Sequence, residues 1–361
     1  MKKILHIIGN LEVGGAEADL IAKTIALKDQ YQFQVLTLLQ KGALAERLEK
    51  AGIEVIAGGM KHKMDVGAVL RMIRIVRRER PDLIHAHMFY SYLIAHIMRL
   101  LGLIRHVVYT IQKEAARANW LEIQLEKLLR PHTARILASS QQVLTSYRKL
   151  GVNGRNMIPF YNSIDFSRFA SGRNLIHEEL GFGTTPVIGT VGRLLPVKGH
   201  RYLIEALPDI LQAYPDLKCV IIGDGDEKNA LVELAEKLKV TEAVCWLGAR
   251  RDIENFIPYL DIFVMPSLSE AFGIAAAEAS ACGVPVVASA VGGLPEVIVN
   301  GTTGVLVPPG NAKAISKEVK RLLSEEQTRI AMGLAGKNHV RKFSAEEMAC
   351  QLAAVYDSVA G

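Results

Sequence analysis

Cysteine is scarce: Cys219, Cys245, Cys282 and Cys350 lie far apart, form no C-x-x-C pair and have no histidine at zinc-finger spacing. A disulfide-stapled scaffold is excluded, neither a metal site nor a redox dithiol is indicated, and a reducing, cytoplasmic compartment is expected. Long apolar runs are also missing. Arg99 interrupts the most lipophilic stretch, and Gly283, Pro285, Gly292 and Gly293 punctuate the next. The opening run MKKILHIIG ends at Gly9-Asn10, too short for a signal-peptide core, so it reads as a first buried strand and no membrane span is expected. Neither G-x-G-x-x-G nor a Walker A loop occurs, because Gly223-Asp-Gly225-Asp-Glu-Lys lacks the third glycine. That argues against a dinucleotide-binding oxidoreductase.

What remains is a globular chain of 361 residues, half of them apolar and 22% charged, enough for about two domains with separate cores. Residues 1–150 hold 23 basic and 13 acidic side chains and residues 151–361 hold 20 and 24. The basic half suggests an anionic partner, such as membrane phosphate, an acidic glycan or nucleic acid, or else a solvated helix face.

Short β-branched runs alternate with helical patterns throughout, the signature of β-α units feeding parallel sheets. Seven strands are predicted in the first half, from Ile4–Ile8 to Met157–Phe160, and six in the second, from Val187–Val191 to Gly304–Val307. Residues 166–185 lose periodicity and read as the linker, and Ser344-Ala-Glu-Glu347 reads as a capping box opening a final helix. Ligands bind at strand C-terminal ends, so the cleft between two such domains is the expected site.

Four segments carry chemistry. Gly14-Gly15-Ala-Glu17 leaves the first strand and enters a helix, where the glycines admit close backbone approach and the helix N-terminus favours an anion. His85 and His87 end the fourth strand on one face. With no third ligand apparent they are not assigned to a metal, and His87 is expected to reach the cleft and handle a proton. Gly192-Arg193 and Lys198-Gly199 place a guanidinium fork and a point charge on one glycine-bracketed loop, suited to a diphosphate. In Glu270-Ala-Phe272-Gly273-Ile274 a loop carboxylate precedes a helix holding Glu278 among small residues. Burial of Glu278 is costly unless it meets a partner or ligand. A two-carboxylate glycosidase is disfavoured, since one acid sits mid-helix beside a phosphate-type loop.

Together, Glu270-x7-Glu278 with Phe272-Gly273, Gly283-x-Pro285, Gly192-Arg193 and Lys198-Gly199 resemble the retaining nucleotide-sugar glycosyltransferases of family 4, which have the GT-B fold. Gly14-Gly15-Ala-Glu17, His85-Ala-His87, Asn162-Ser-Ile-Asp165, Gly223-Asp-Gly225, Gly248-Ala-Arg250 and Gly292-Gly-Leu-Pro-Glu296 follow in the family's order. The resemblance implies two Rossmann-like α/β domains. Residues 1–165 would bind acceptor, joined by a C-terminal helix at 345–361 packing back on them, and residues 166–344 would bind the nucleotide sugar.

It also implies roles. Arg193 and Lys198 would clasp the donor diphosphate and stabilise the leaving charge, Glu270 would contact the donor sugar, and Glu278 the ribose hydroxyls. Backbone N–H groups of Phe272, Gly273 and Ile274 would hold sugar hydroxyls. Gly14 and Gly15 would approach the phosphates, His87 would lie near the transferred sugar, and Arg250 and its neighbours would frame the base. No cofactor is expected, and no Asp-x-Asp motif of the metal-dependent kind is assigned. The implied partners are a nucleotide-sugar donor and a glycan or lipid-linked acceptor, with an anionic membrane surface met through the basic half and no nucleic acid. Thr110-Ile-Gln112 departs from the family's histidine there, and Ser163 replaces a commoner glycine. The alternatives are a nucleotide-sugar epimerase or glycan phosphorylase of the same fold, or a catalytically silent nucleotide-binding module.

Overall fold

The computed structural model describes residues 1–62, 65–170 and 172–360, so Ser171 of the expected linker and Gly361 of the expected last helix lie outside the described residues. The chain forms two compact units, residues 1–163 with the helix Ala345–Ala360, and residues 164–344.

The first unit is a seven-stranded parallel sheet with strands β1 Lys3–Ile8, β2 Gln32–Thr37, β3 Glu54–Ala57, β4 Leu83–His87, β5 His106–Ile111, β6 Arg135–Ala138 and β7 Met157–Pro159. Their order is β3-β2-β1-β4-β5-β6-β7, so direction along the sheet reverses between β1 and β4. The strands are near-continuous aliphatic runs because helices cover parallel sheets on both faces. The core includes Ile4, Ile8, Val35, Val108 and Leu137 together with Met348, Leu352 and Tyr356 of the Ala345–Ala360 helix. Tyr31 Oη donates to the Ala353 carbonyl and to Asp357, which fixes that helix in the first unit.

The second unit holds β8 Val187–Val191, β9 Lys218–Ile222, β10 Val244–Gly248, β11 Ile262–Met265, β12 Val286–Ser289 and β13 Gly304–Val307. Their order is β10-β9-β8-β11-β12-β13, with the reversal between β8 and β11. Its core gathers Ile188, Leu203, Leu207, Ile221, Val264 and Val319.

Residues 166–185 are not an open linker. They belong to the second unit, where Asp165 and Asn174 cap single-turn helices at Phe166–Phe169 and Leu175–Glu178. Leu175 and Ile176 are buried, and Tyr259 Oη donates to the Gly172 carbonyl. Short polar stretches with local caps look like linker in composition, but here two apolar side chains anchor them.

Candidate functional site

In the second unit the two loops at the reversal are those after β8 and β11, the position where doubly wound sheets take ligands. The first loop, Gly192–Gly199, is held by backbone bonds from Gly192 N to the Ile222 carbonyl and from Leu194 N to the Asp224 carbonyl. Gly223 packs so closely that a Cβ there would lie 1.9 Å from the Gly192 oxygen. A glycine is required at that contact. His200, buried beneath the loop, lies 3.2 Å through Nε2 from the Arg193 carbonyl, and burial holds its pKa down at about 4. Nothing in the sequence singles out His200, because its contact depends on how the loop folds back.

Lys198 Nζ meets Glu270 Oε2 at 2.6 Å, and Ser267 Oγ donates to the same oxygen. Leu268 N donates to the Val197 carbonyl. The two predicted loops are thus stitched together although Lys198 and Glu270 are 72 residues apart. Arg193 is exposed, and its side chain makes no hydrogen bond or ion pair among the described residues. Gly273, at φ +101, starts the helix Ile274–Ala281. The first N–H groups of a helix have no intrahelical acceptor and carry partial positive charge, an arrangement that receives hydroxyl or anionic oxygen. The Phe272 ring is buried edge-on to Phe343 at 5.1 Å, so only its backbone is available to a ligand.

Glu278 lies within that helix, half-buried. Burial pushes its carboxyl up to about 7, opposed by Arg168 and reinforced by Glu254 and Asp165. Arg168 is itself engaged by Glu254 and by the Arg251 carbonyl. Arg250 is committed to Asp252 through Nε and Nη2 at 2.9 and 2.8 Å and stacks on Phe256. Its side chain therefore braces its own loop. Asp224-Gly225-Asp226 after β9 does spell Asp-x-Asp, but Asp224 Oδ1 accepts from the next residue's N–H at 2.8 Å. No third ligand joins the two exposed carboxylates among the described residues.

In the first unit the loops at the reversal follow β1 and β4. Gly14 opens the helix Gly15–Ala26, and the Glu17 carboxylate lies over it, 2.2 Å from where a Cβ would stand. A phosphate approaching Gly15 would meet that acid at the helix N-terminus.

His87 departs from expectation. It is 3% exposed, and its Nε2 lies 2.9 Å from His6 Nδ1. His6 is the third imidazole the sequence reading missed, brought in because β1 pairs with β4 with His6 opposite His85. His85 bridges Tyr356 Oη and Thr110 Oγ1, each at 2.7 Å, so both its nitrogens are taken. Burial and the neighbouring cations hold all three rings well below the usual histidine range. A neutral His87 keeps one ring proton and no positive charge near pH 7, and its remaining polar atom is Nδ1, which is buried without a partner among the described residues. After it, Met88 turns into the helix Met88–Leu100 at φ +67, a strained conformation for a non-glycine residue.

Two doubly wound units, each with its loops gathered at a sheet reversal, are the architecture of the GT-B fold. The family Glycosyltransferase Family 4 matches residues 13–168, and Glycosyl transferases group 1 matches residues 172–339. D-inositol 3-phosphate glycosyltransferase of Corynebacterium urealyticum is 32% identical over 77% of this chain and 72% of its own. A GDP-mannose-dependent alpha-(1-6)-phosphatidylinositol monomannoside mannosyltransferase of Mycolicibacterium smegmatis is 36% identical over 48% of this chain and 49% of its own. The crystal structure of Anabaena Alr3699/HepE in complex with UDP and glucose superposes with a TM-score of 0.90 at 23% identity, over 99% of this chain and 100% of that one. The chain belongs to glycosyltransferase family 4.

Proposed function

We propose that this protein transfers a glycosyl group from UDP- or GDP-sugar to a hydroxyl of a phosphate-bearing, glycan- or lipid-linked acceptor, with retention and without a metal, in building a cell-surface polysaccharide, lipopolysaccharide or glycolipid at the inner face of the cytoplasmic membrane. The observation that carries the reading is the Lys198–Glu270 pair, which joins the two loops at the β8/β11 reversal. The inositol 3-phosphate and the phosphatidylinositol monomannoside in two relatives' names support the acceptor class.

The donor diphosphate lies along Gly192–Gly199, with Arg193 and Lys198 as its cations and Lys198 exchanging Glu270 for phosphate. Glu270, so released, turns to the sugar hydroxyls, aided by N–H groups at Phe272, Gly273 and Ile274. Glu278 receives the ribose hydroxyls, and backbone around Arg250 frames the base. In the reaction the bond from the anomeric carbon to the β-phosphate oxygen breaks, and the acceptor oxygen bonds on the same face. The departing phosphate oxygen takes the acceptor proton. Most of the barrier is lowered by cations placed where negative charge develops and by orientation of the acceptor.

A thermal-shift panel with UDP, GDP, ADP and their sugars tests the donor site. One nucleotide at 100 times its dissociation constant should add about 2.7 kcal/mol and move the melting point by a few degrees. A flat response to all of them would remove the donor assignment.

Glu278→Gln gives a pH-dependent expectation. The folded carboxyl titrates near 7 against an ordinary 4.5, so the folded state holds its proton more tightly. Wild-type stability, relative to the variant, should fall as pH rises from about 4.5 to about 7. Ribose hydroxyls donate to the ionised form, so wild-type nucleotide affinity should gain on the variant's through the same window, over the titration of the nucleotide's own phosphate common to both. Urea midpoints across that range read the stability and isothermal titration the affinity, and parallel affinity profiles would take Glu278 out of the ribose site.

A further inference from the structure

At the ends of β4, β5 and β6 the first unit leaves buried polar atoms without partners. His87 Nδ1, both amide atoms of Gln112 and the Ser139 hydroxyl meet no hydrogen-bond partner among the described residues. Ser139 is fully buried, and Gln112 is partly buried with its amide turned inward. Polar groups held out of water in this way lose their hydration and gain nothing in exchange.

Register places the three side chains together. β4 pairs with β5 at His87–Thr110, and β5 with β6 at Thr110–Leu137 and Ile111–Ala138. One step further on, Ser139 N donates to the Ile111 carbonyl. Side chains alternate along a strand, so His87, Gln112 and Ser139 stand on the face of Thr110 and Leu137. It is the face under the Ala345–Ala360 helix, whose Tyr356 hydroxyl and Thr110 Oγ1 both bond to His85. All three stand at the C-terminal edge of the sheet, where doubly wound units receive ligands.

We propose that His87, Gln112 and Ser139 form a ledge for one uncharged polyhydroxylated ring, the sugar or cyclitol ring of the acceptor, with Gln112 selecting its hydroxyls. The proposal deepens the transferase reading and rests on it only for calling that ring an acceptor.

The chemistry of the ledge selects its occupant. An amide, a hydroxyl and an imidazole held neutral by burial carry no charge between them. A phosphate would meet no free cation there, because Lys113, next along the chain, is paired with Glu122, and Lys23 with Asp19. The Gln112 amide can accept from one ring hydroxyl and donate to the next. A hydroxyl both donates and accepts, so it also suits Ser139 Oγ, and it suits His87 Nδ1 in whichever tautomer the His6 contact leaves. Strands about 4.8 Å apart make the ledge about 10 Å across from β4 to β6, the reach of a single six-membered ring with a hydrogen bond at either side. The backbone marks the same place. Among the described residues only Arg80, Met88 and Lys239 have positive φ without being glycine. Arg80 and Lys239 follow the ends of helices, where that conformation is common, whereas Met88 opens one directly after His87. Strain kept at such a point is usual beside ligand sites.

The test is saturation-transfer NMR of the whole chain with glucose, mannose and myo-inositol as probes, on wild type and on the double variant Gln112→Met, Ser139→Ala. Wild type should bind at least one ring, and the double variant should bind it about tenfold more weakly. Because apolar groups of similar size replace two unpartnered polar ones, the double variant should melt no lower than wild type. The single variants decide the case in which the double variant misfolds: each, with a wild-type melting curve, should still weaken the ring. No ring bound by wild type, or equal binding by wild type and folded variants, would overturn the proposal. Glu270→Ala separates the two sources of a ring: one released by Glu270→Ala and kept by the ledge variants is a donor sugar, which would also overturn it. If the ledge variants lose the ring while no nucleotide moves the wild-type melting point, the ledge stands and the transferase reading falls.

Discussion

Lys198→Ala should lower the rate of sugar transfer by about two to three orders of magnitude with its melting point close to that of wild type. Removing one preorganised charge or donor from a developing oxyanion typically costs that much. Lys198 sits on a partly exposed loop outside the core, so the fold does not depend on it. A second effect adds to the first: the Glu270 carboxylate, 12% exposed, loses its cation and remains as an uncompensated negative charge where a diphosphate must bind. Glu270→Gln in the Lys198→Ala background should therefore restore part of the donor affinity but little of the turnover. Nucleoside diphosphate release measured across a donor titration reads both quantities. A Lys198→Ala enzyme with wild-type turnover would leave the loop as structure only.

Asp19→Ala should cost about 3–5 kcal/mol of stability, the penalty for leaving one member of a buried ion pair alone. Asp19 and Lys23 are 3% and 5% exposed and meet at 2.7 Å. The other carboxylate oxygen accepts from both the N–H and the hydroxyl of Ser163, where the chain leaves the first unit. Lys23 also lies over the Phe160 ring. Alanine would strand the ammonium and free Ser163 together. Asp19→Ala with Lys23→Met should recover much of the loss, since no buried charge is then unpaired. Urea midpoints separate these cases, and a single variant within 1 kcal/mol of wild type would contradict the argument.

Strands were legible because each is an aliphatic run bounded by turn residues, and a parallel sheet demands such runs on both faces. Small boundary shifts remain: the first strand begins at Lys3 where Ile4 is expected, and β7 ends at Pro159, one residue before Phe160. The donor loops were legible as motifs, whereas the Lys198–Glu270 bond joining them required the sheet order. The histidine cluster was half legible. His85 and His87 share a face by alternation, but only register places His6 beside them. Ser163 read as a neutral replacement until Asp19 appeared as its acceptor. The basic balance of residues 1–150 does not show that Glu122 and Glu126 are buried and Trp120 exposed, because counting charges carries no direction.

The Ala345–Ala360 helix completes the core of the first unit and supplies the hydroxyl that His85 holds. On the ribosome, the seven strands it covers emerge roughly 180 residues earlier, a wait of about ten to forty seconds at usual elongation rates. During that interval Tyr31, Phe33 and His85 lack their cover, so the nascent first unit presents an apolar and imidazole surface to whatever binds unfinished chains. The second unit is contiguous, residues 164–344, so it is complete before the first although its synthesis starts later.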